Sequence, residues 1–108
     1  MPLPNRPAPF HSAEAAWFAV SRALWAAPVR SGPHVDVVMR SLDRLYRNRR
    51  IELLHARILR YWGRRGVAPN PARPRERSDW QIWREAIERL DGPLRAQGLV
   101  GGAIDPAE

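Results

Sequence analysis

Cysteine and lysine are both absent from this 108-residue chain. Without cysteine there is no disulfide, no thiolate zinc site and no thiol nucleophile, and the redox compartment is left open. Without lysine, all 18 basic residues are arginine. A GC-rich genome produces that bias by codon usage alone. It also suits phosphate recognition, because the planar guanidinium fork donates two hydrogen bonds at once. Long apolar runs are missing too. The longest apolar region, residues 13–28, is broken by Glu14, Ser21 and Arg22 and is too short and polar to cross a bilayer. The Pro-rich opening, MPLPNRPAPFHS, has no apolar run directly after it, as a secretion signal would. The expectation is a cytoplasmic bacterial protein with no membrane association.

Chemistry-bearing constellations are equally scarce. His11, His34 and His55 have no metal-ligand spacing, and no HExxH pattern occurs. His55, near the apolar edge of a helical stretch, is expected to be a partly buried structural histidine. No nucleophile elbow, phosphate-binding glycine loop or paired-carboxylate arrangement is present. The chain is therefore expected to be no enzyme and to need no metal or cofactor.

What the sequence does have is apolar surface and unevenly placed positive charge. It is 44% hydrophobic with five tryptophans, enough for one packed domain and unlike a disordered chain. The net charge is +7, distributed as +1 over residues 1–39, +9 over residues 40–77 and −3 over residues 78–108. Codon bias does not account for that clustering. Residues 40–65, RSLDRLYRNRRIELLHARILRYWGRR, hold nine arginines against Asp43 and Glu52 and also carry a helical apolar stripe.

Periodicity predicts an all-α domain, a compact bundle of four principal helices with a possible short fifth. Residues 1–11, with Pro2, Pro4, Pro7 and Pro9, read as a flexible arm from which Phe10 can tuck onto the domain. The domain itself is expected over 12–100, and 101–108 reads as a flexible tail. The first helix is predicted over 12–27, with Ser12 as N-cap, Glu14 in its first turn and a stop before Pro28. It is apolar nearly all round, which marks a core helix or, as the less favoured alternative, a homodimer contact through residues 13–27.

A loop containing Ser31 and Gly32 leads to a second helix over 34–47, with Val35, Val38, Met39, Leu42, Leu45 and Tyr46 as its stripe. A break at Asn48, closed by that residue in a left-handed conformation, leads to a third helix over 50–64. Its predicted stripe is Ile51, Leu54, Ile58 and Tyr61 or Trp62. Residues 66–77 read as an extended basic linker or wing. The fourth helix starts from a capping box at Ser78 and Gln81 and buries Trp80, Trp83, Ile87, Leu90 and Leu94. Arg84 with Glu88 and Glu85 with Arg89 are expected to pair at i,i+4, and Gly92-Pro93 to kink or interrupt the helix.

LLHARILRYWGRRG followed by WREAIERLDGPL resembles the helix-turn-helix of sigma-factor region 4 and of phage antitermination-type regulators. Arg60-Tyr61 matches the arginine–aromatic pair that ends one helix of that motif, and Ala86, Leu90 and Leu94 match the spacing of the next. The segment 66–77 stands where the motif has its short helix and tight turn. The resemblance implies a helix-turn-helix-like fold, DNA binding and transcription regulation.

Two partners suit the arginine-rich face. The first is nucleic acid, DNA in preference to RNA, with Arg50, Arg57, Arg60, Arg64 and Arg65 on phosphates and Arg73, Arg75 and Arg77 reaching a groove. Trp62, bracketed by Arg60, Arg64 and Arg65, is a candidate stacking residue, whereas Trp80 and Trp83 fall on the core stripe. The second is an acidic protein, which would make the chain a non-enzymatic adaptor.

Overall fold

A computed structural model describes residues 8–26 and 33–101. It contains four helices: α1 (Ala13–Ala26), α2 (Pro33–Arg47), α3 (Leu53–Arg65) and α4 (Arg77–Ala96), with a 3-10 turn at Pro74–Glu76 leading into α4. The only β pairing among the described residues is one parallel bridge between Phe10 and Val100. The all-α bundle expected from periodicity is therefore the observed fold. The arm at 1–7, the loop containing Ser31 and Gly32, the stop at Pro28 and the tail at 102–108 lie outside the described residues.

α1 and α4 form the central pair, and α2 and α3 each pack against both. The buried apolar residues belong to one cluster, with Ala16, Trp17 and Val20 from α1, Val35, Val38 and Leu45 from α2, Ile58, Leu59 and Trp62 from α3, and Trp83, Ala86, Leu90 and Leu94 from α4. Ala13, Ala16, Trp17 and Val20 of α1 are buried within the chain while Trp25 stays exposed, and the stripe of α4 closes the domain over α2 and α3.

The local signals explain where each helix starts and stops. Ser12 Oγ accepts the Ala15 amide at 3.0 Å, the expected N-cap of α1. α2 ends in a Schellman motif: Arg50 N–H bonds to Leu45 O at 2.8 Å and Arg49 N–H to Tyr46 O at 3.0 Å. The left-handed residue is Arg49, with φ 60°, and not Asn48 as the sequence suggests. Five residues, 48–52, thus separate two distinct helices, and α3 starts at Leu53 rather than at residue 50. Its entry is held by His55, whose Nδ1 accepts the Glu52 amide at 3.0 Å. Because Nδ1 accepts, Nε2 carries the ring proton and donates it to Glu85 Oε1 of α4 at 2.9 Å. That bond holds the Glu85 carboxyl below its ordinary range, with the nearby Arg89 charge adding to the effect.

Four further expectations change. The buried line of α3 is His55, Ile58, Leu59, Trp62 and Gly63, while Leu54 and Tyr61 are 48% and 51% exposed. In α2 the line is Val35, Val38, Ser41 and Leu45, with Met39 and Tyr46 exposed. α4 starts at Arg77 because the 3-10 turn feeds straight into it, leaving Ser78 inside the first turn rather than at a capping box. α4 also runs without interruption through Pro93 to Ala96, so no separate fifth helix follows Pro93 among the described residues. Pro93 costs about 3 kcal/mol in a helix interior. Leu90 and Leu94, on the turns either side and fully buried, return roughly 1.5–3 kcal/mol each, so burial wins. Gly98, at φ 79°, then ends α4 with a Leu99 N–H bond to Leu94 O at 2.9 Å.

α1 and α3 approach closely at Gly63. A Cβ on Gly63 would press into Ser21 Oγ and come within 2.6 Å of Trp17 Nε1. Gly63→Ala should therefore lower stability by about 1–3 kcal/mol through overpacking, although alanine is the better helix former by about 1 kcal/mol. Urea unfolding checks the sign. Trp83, 2% exposed, sits mid-core. Trp83→Ala should cost about 3–5 kcal/mol and leave the domain marginal or unfolded at room temperature, as circular dichroism would show. The Glu85 contribution to stability is present above its unfolded-state pKa and is lost as the pH falls through its lowered folded-state value. On acidification through the carboxylate range, the wild type should lose more stability than Glu85→Gln, measured as a difference in denaturant midpoints.

Candidate nucleic-acid interface

The exposed side of α3 follows from its anchoring. His55, Ile58, Leu59, Trp62 and Gly63 face inward, so the intervening positions Arg57, Arg60, Tyr61, Arg64 and Arg65 face out and together line one shallow groove. Arg64 and Arg65 lie in the last turn, where the helix dipole favours cations. A second groove on the same helix joins Arg57, Tyr61 and Arg65 to Arg75 from the 66–77 segment, over a floor that includes Ile58 and Trp62.

Five of the eight expected phosphate contacts, Arg57, Arg60, Arg64, Arg65 and Arg75, thus share one surface. Arg50 does not: it precedes α3 and faces a different cleft, with Arg44 and Arg89. Arg50, expected inside the third helix and on the phosphates with Arg57, Arg60 and Arg64, is set apart because that helix begins three residues later, at Leu53. Arg73 and Arg77 are turned back into their own segment. Arg73 pairs with Glu76 Oε2 at 3.3 Å, and Arg77 Nε donates to the Pro71 carbonyl at 3.3 Å. That segment is a folded loop rather than an extended wing. Asn70 N–H donates to Glu76 Oε1 at 2.8 Å, Asn70 Oδ1 accepts the Ala72 amide at 2.9 Å, and Pro69 is buried.

The aromatic assignment also changes. Trp62 is only 6% exposed, and its Nε1 donates to Asp79 Oδ2 at 3.0 Å, so it is a core residue and not a free stacking surface. The exposed aromatics beside the arginines are Tyr61 and Trp25. Trp25 is 45% exposed, and the Arg60 and Arg64 guanidiniums lie 5.9 and 4.2 Å from its ring centroid. Arg65 sits 5.4 Å from both the Tyr61 and Trp62 rings, which meet edge to face at 5.2 Å. Trp25 lies in the last turn of α1, and its place beside α3 depends on how α1 crosses α3, which no local pattern encodes.

No family model, curated protein or solved structure matches this chain. The charge balance is accordingly argued from the chain itself. The carboxylates of α4 are engaged elsewhere: Glu85 with His55, Glu88 with Arg84 at 3.4 Å and Asp91 with Arg95 at 2.7 Å. The predicted Glu85–Arg89 pair gives way to these, and Arg89 instead donates to the Arg50 carbonyl at 2.7 Å. Asp79 accepts from Trp62. Among the described residues, Arg57, Arg60, Arg64, Arg65 and Arg75 have no ion pair with any carboxylate. Glu76 and Asp79 also line the groove of Arg57, Arg65 and Arg75, but they are engaged with Arg73 and Trp62, so the acidic fourth helix makes no ion pair with the arginine face among the described residues.

These arginines hold the surface and not the core. Arg57→Ala combined with Arg60→Ala and Arg64→Ala should change stability by less than about 0.5 kcal/mol per site, while the cation–π contacts on Trp25 disappear. Coincident thermal transitions of the variant and the wild type, with weakened polyanion binding, are the expected result.

Proposed function

We propose that this chain is a small, basic, non-enzymatic nucleic-acid-binding protein that grips phosphates, of DNA in preference to RNA, through the exposed face of α3. The observation that carries the reading is the set Arg57, Arg60, Arg64, Arg65 and Arg75 on one surface without carboxylate partners among the described residues. Clustered guanidiniums attract anions, and a phosphate backbone supplies them at regular spacing with release of condensed counterions. Tyr61 and Trp25, exposed at the same surface, offer flat faces against sugars or bases. A role as a small transcription regulator or phage-type factor rests on the resemblance of residues 45–95 to helix-turn-helix regulators.

One observation favours the adaptor reading. An apolar groove of about 460 Å³, lined by Trp17, Leu24, Trp25, Met39, Leu42 and Ala56, ends at Arg60. An acidic amphipathic helix would place its apolar side there and its carboxylates on the arginines.

Titration with random duplex DNA at several salt concentrations separates the two. Neutralising four to six phosphates should give a slope of log K against log salt of roughly −4 to −5. The absence of binding to duplex and single strands at low salt would exclude the nucleic-acid reading and leave the adaptor.

A further inference from the structure

A second cluster of arginines stands apart from the α3 face. Arg44 in the last turn of α2, Asn48 and Arg50 in the turn that follows, and Arg89 on α4 line one cleft of about 630 Å³, floored by Leu45 and Pro93. We propose that this cleft binds a small phosphorylated ligand, a sugar phosphate or pyrophosphate-type dianion.

The charge arrangement supports an anion. Arg44 and Arg50 have no carboxylate partner among the described residues. The one carboxylate on the cleft, Glu88, is held by Arg84 at 3.4 Å. Arg89 uses one N–H on the Arg50 carbonyl at 2.7 Å, which fixes its guanidinium at the cleft wall and leaves the rest of the five-donor fork free. Three guanidiniums around one concavity repel each other, and an anion of two charges removes that repulsion with paired hydrogen bonds.

The left-handed Arg49 that closes α2 sends the chain toward α4, where Arg89 holds the Arg50 carbonyl, so Arg44, Arg50 and Arg89 border the same cleft. No aromatic residue lines the cleft, so a nucleobase has nothing to stack on. This is what narrows the ligand to a phosphate on a short polar skeleton.

Inorganic pyrophosphate is the probe, titrated into the full chain and followed by amide NMR. Saturable shifts at the Asn48 side-chain amide and the Gly92 backbone amide are expected. Arg44→Gln with Arg50→Gln should weaken them about tenfold or more, as loss of charge-assisted hydrogen bonds predicts. Both side chains are exposed, and the Arg50 carbonyl that holds Arg89 is untouched, so the variant should keep the native spectrum elsewhere. Arg57→Gln with Arg60→Gln, outside the cleft, should leave the affinity read at Asn48 and Gly92 unchanged. Shifts confined to the α3 face, equal affinity in the Arg44/Arg50 variant, or no saturable shift at millimolar pyrophosphate would each overturn the assignment. None of these readouts requires DNA, so the result is independent of the α3 reading.

Discussion

Three buried indoles close a circuit through this domain. Trp17 of α1 donates to the Leu59 carbonyl of α3 at 2.8 Å, Trp62 of α3 donates to Asp79 of α4 at 3.0 Å, and Trp83 of α4 donates to Glu14 of α1 at 2.8 Å. Each ring brings a large apolar area into the core and satisfies its one polar hydrogen across a helix boundary. The three bonds specify the relative rotation and height of α1, α3 and α4, a directional constraint that apolar packing alone does not impose. α2 stands outside the circuit and is held by its apolar line and by Gln97 donating to the buried Ser41 hydroxyl at 2.7 Å. The circuit also consumes acids: Glu14 and Asp79 are taken by indoles. Part of the reason the α3 arginines lack partners is therefore found in the core.

Helix number, type and order were legible in the sequence because the apolar repeats of residues 13–26, 35–45 and 83–94 are strong. What was not legible is rotation within α3. Leu54 and Tyr61 fit a helical stripe as well as His55, Leu59 and Gly63 do, and a glycine carries no hydrophobic signal. Only the approach of Trp17 and Ser21 makes residue 63 an interior position. The same ambiguity misplaced Trp62. An indole between arginines looks like a stacking platform until a carboxylate from another helix claims its N–H.

The site was partly readable for the same reason. Clustering located the arginines on the right stretch of chain, and the periodicity within α3 grouped Arg57, Arg60 and Arg64 on one side. The Schellman turn at Arg49 sent Arg50 elsewhere, and the polar self-contacts of the 66–77 loop withdrew Arg73 and Arg77 while leaving Arg75 facing α3. These outcomes depend on bonds between residues such as Asn70 and Glu76, whose pairing composition does not announce. Trp25 became part of the surface through a tertiary crossing.

The pairing of Phe10 with Val100 brings the two ends of the described domain side by side: Phe10 N–H bonds to Leu99 O at 3.1 Å and Gly101 N–H to Phe10 O at 3.2 Å. The chain enters and leaves the fold at one point. Topologically the domain is a nearly closed loop, so joining its ends would demand little closure entropy. A fold of this kind can be carried within the surface loop of a host protein, or have its ends relocated to the exposed 70–73 turn, while keeping every helix-to-helix contact it now makes.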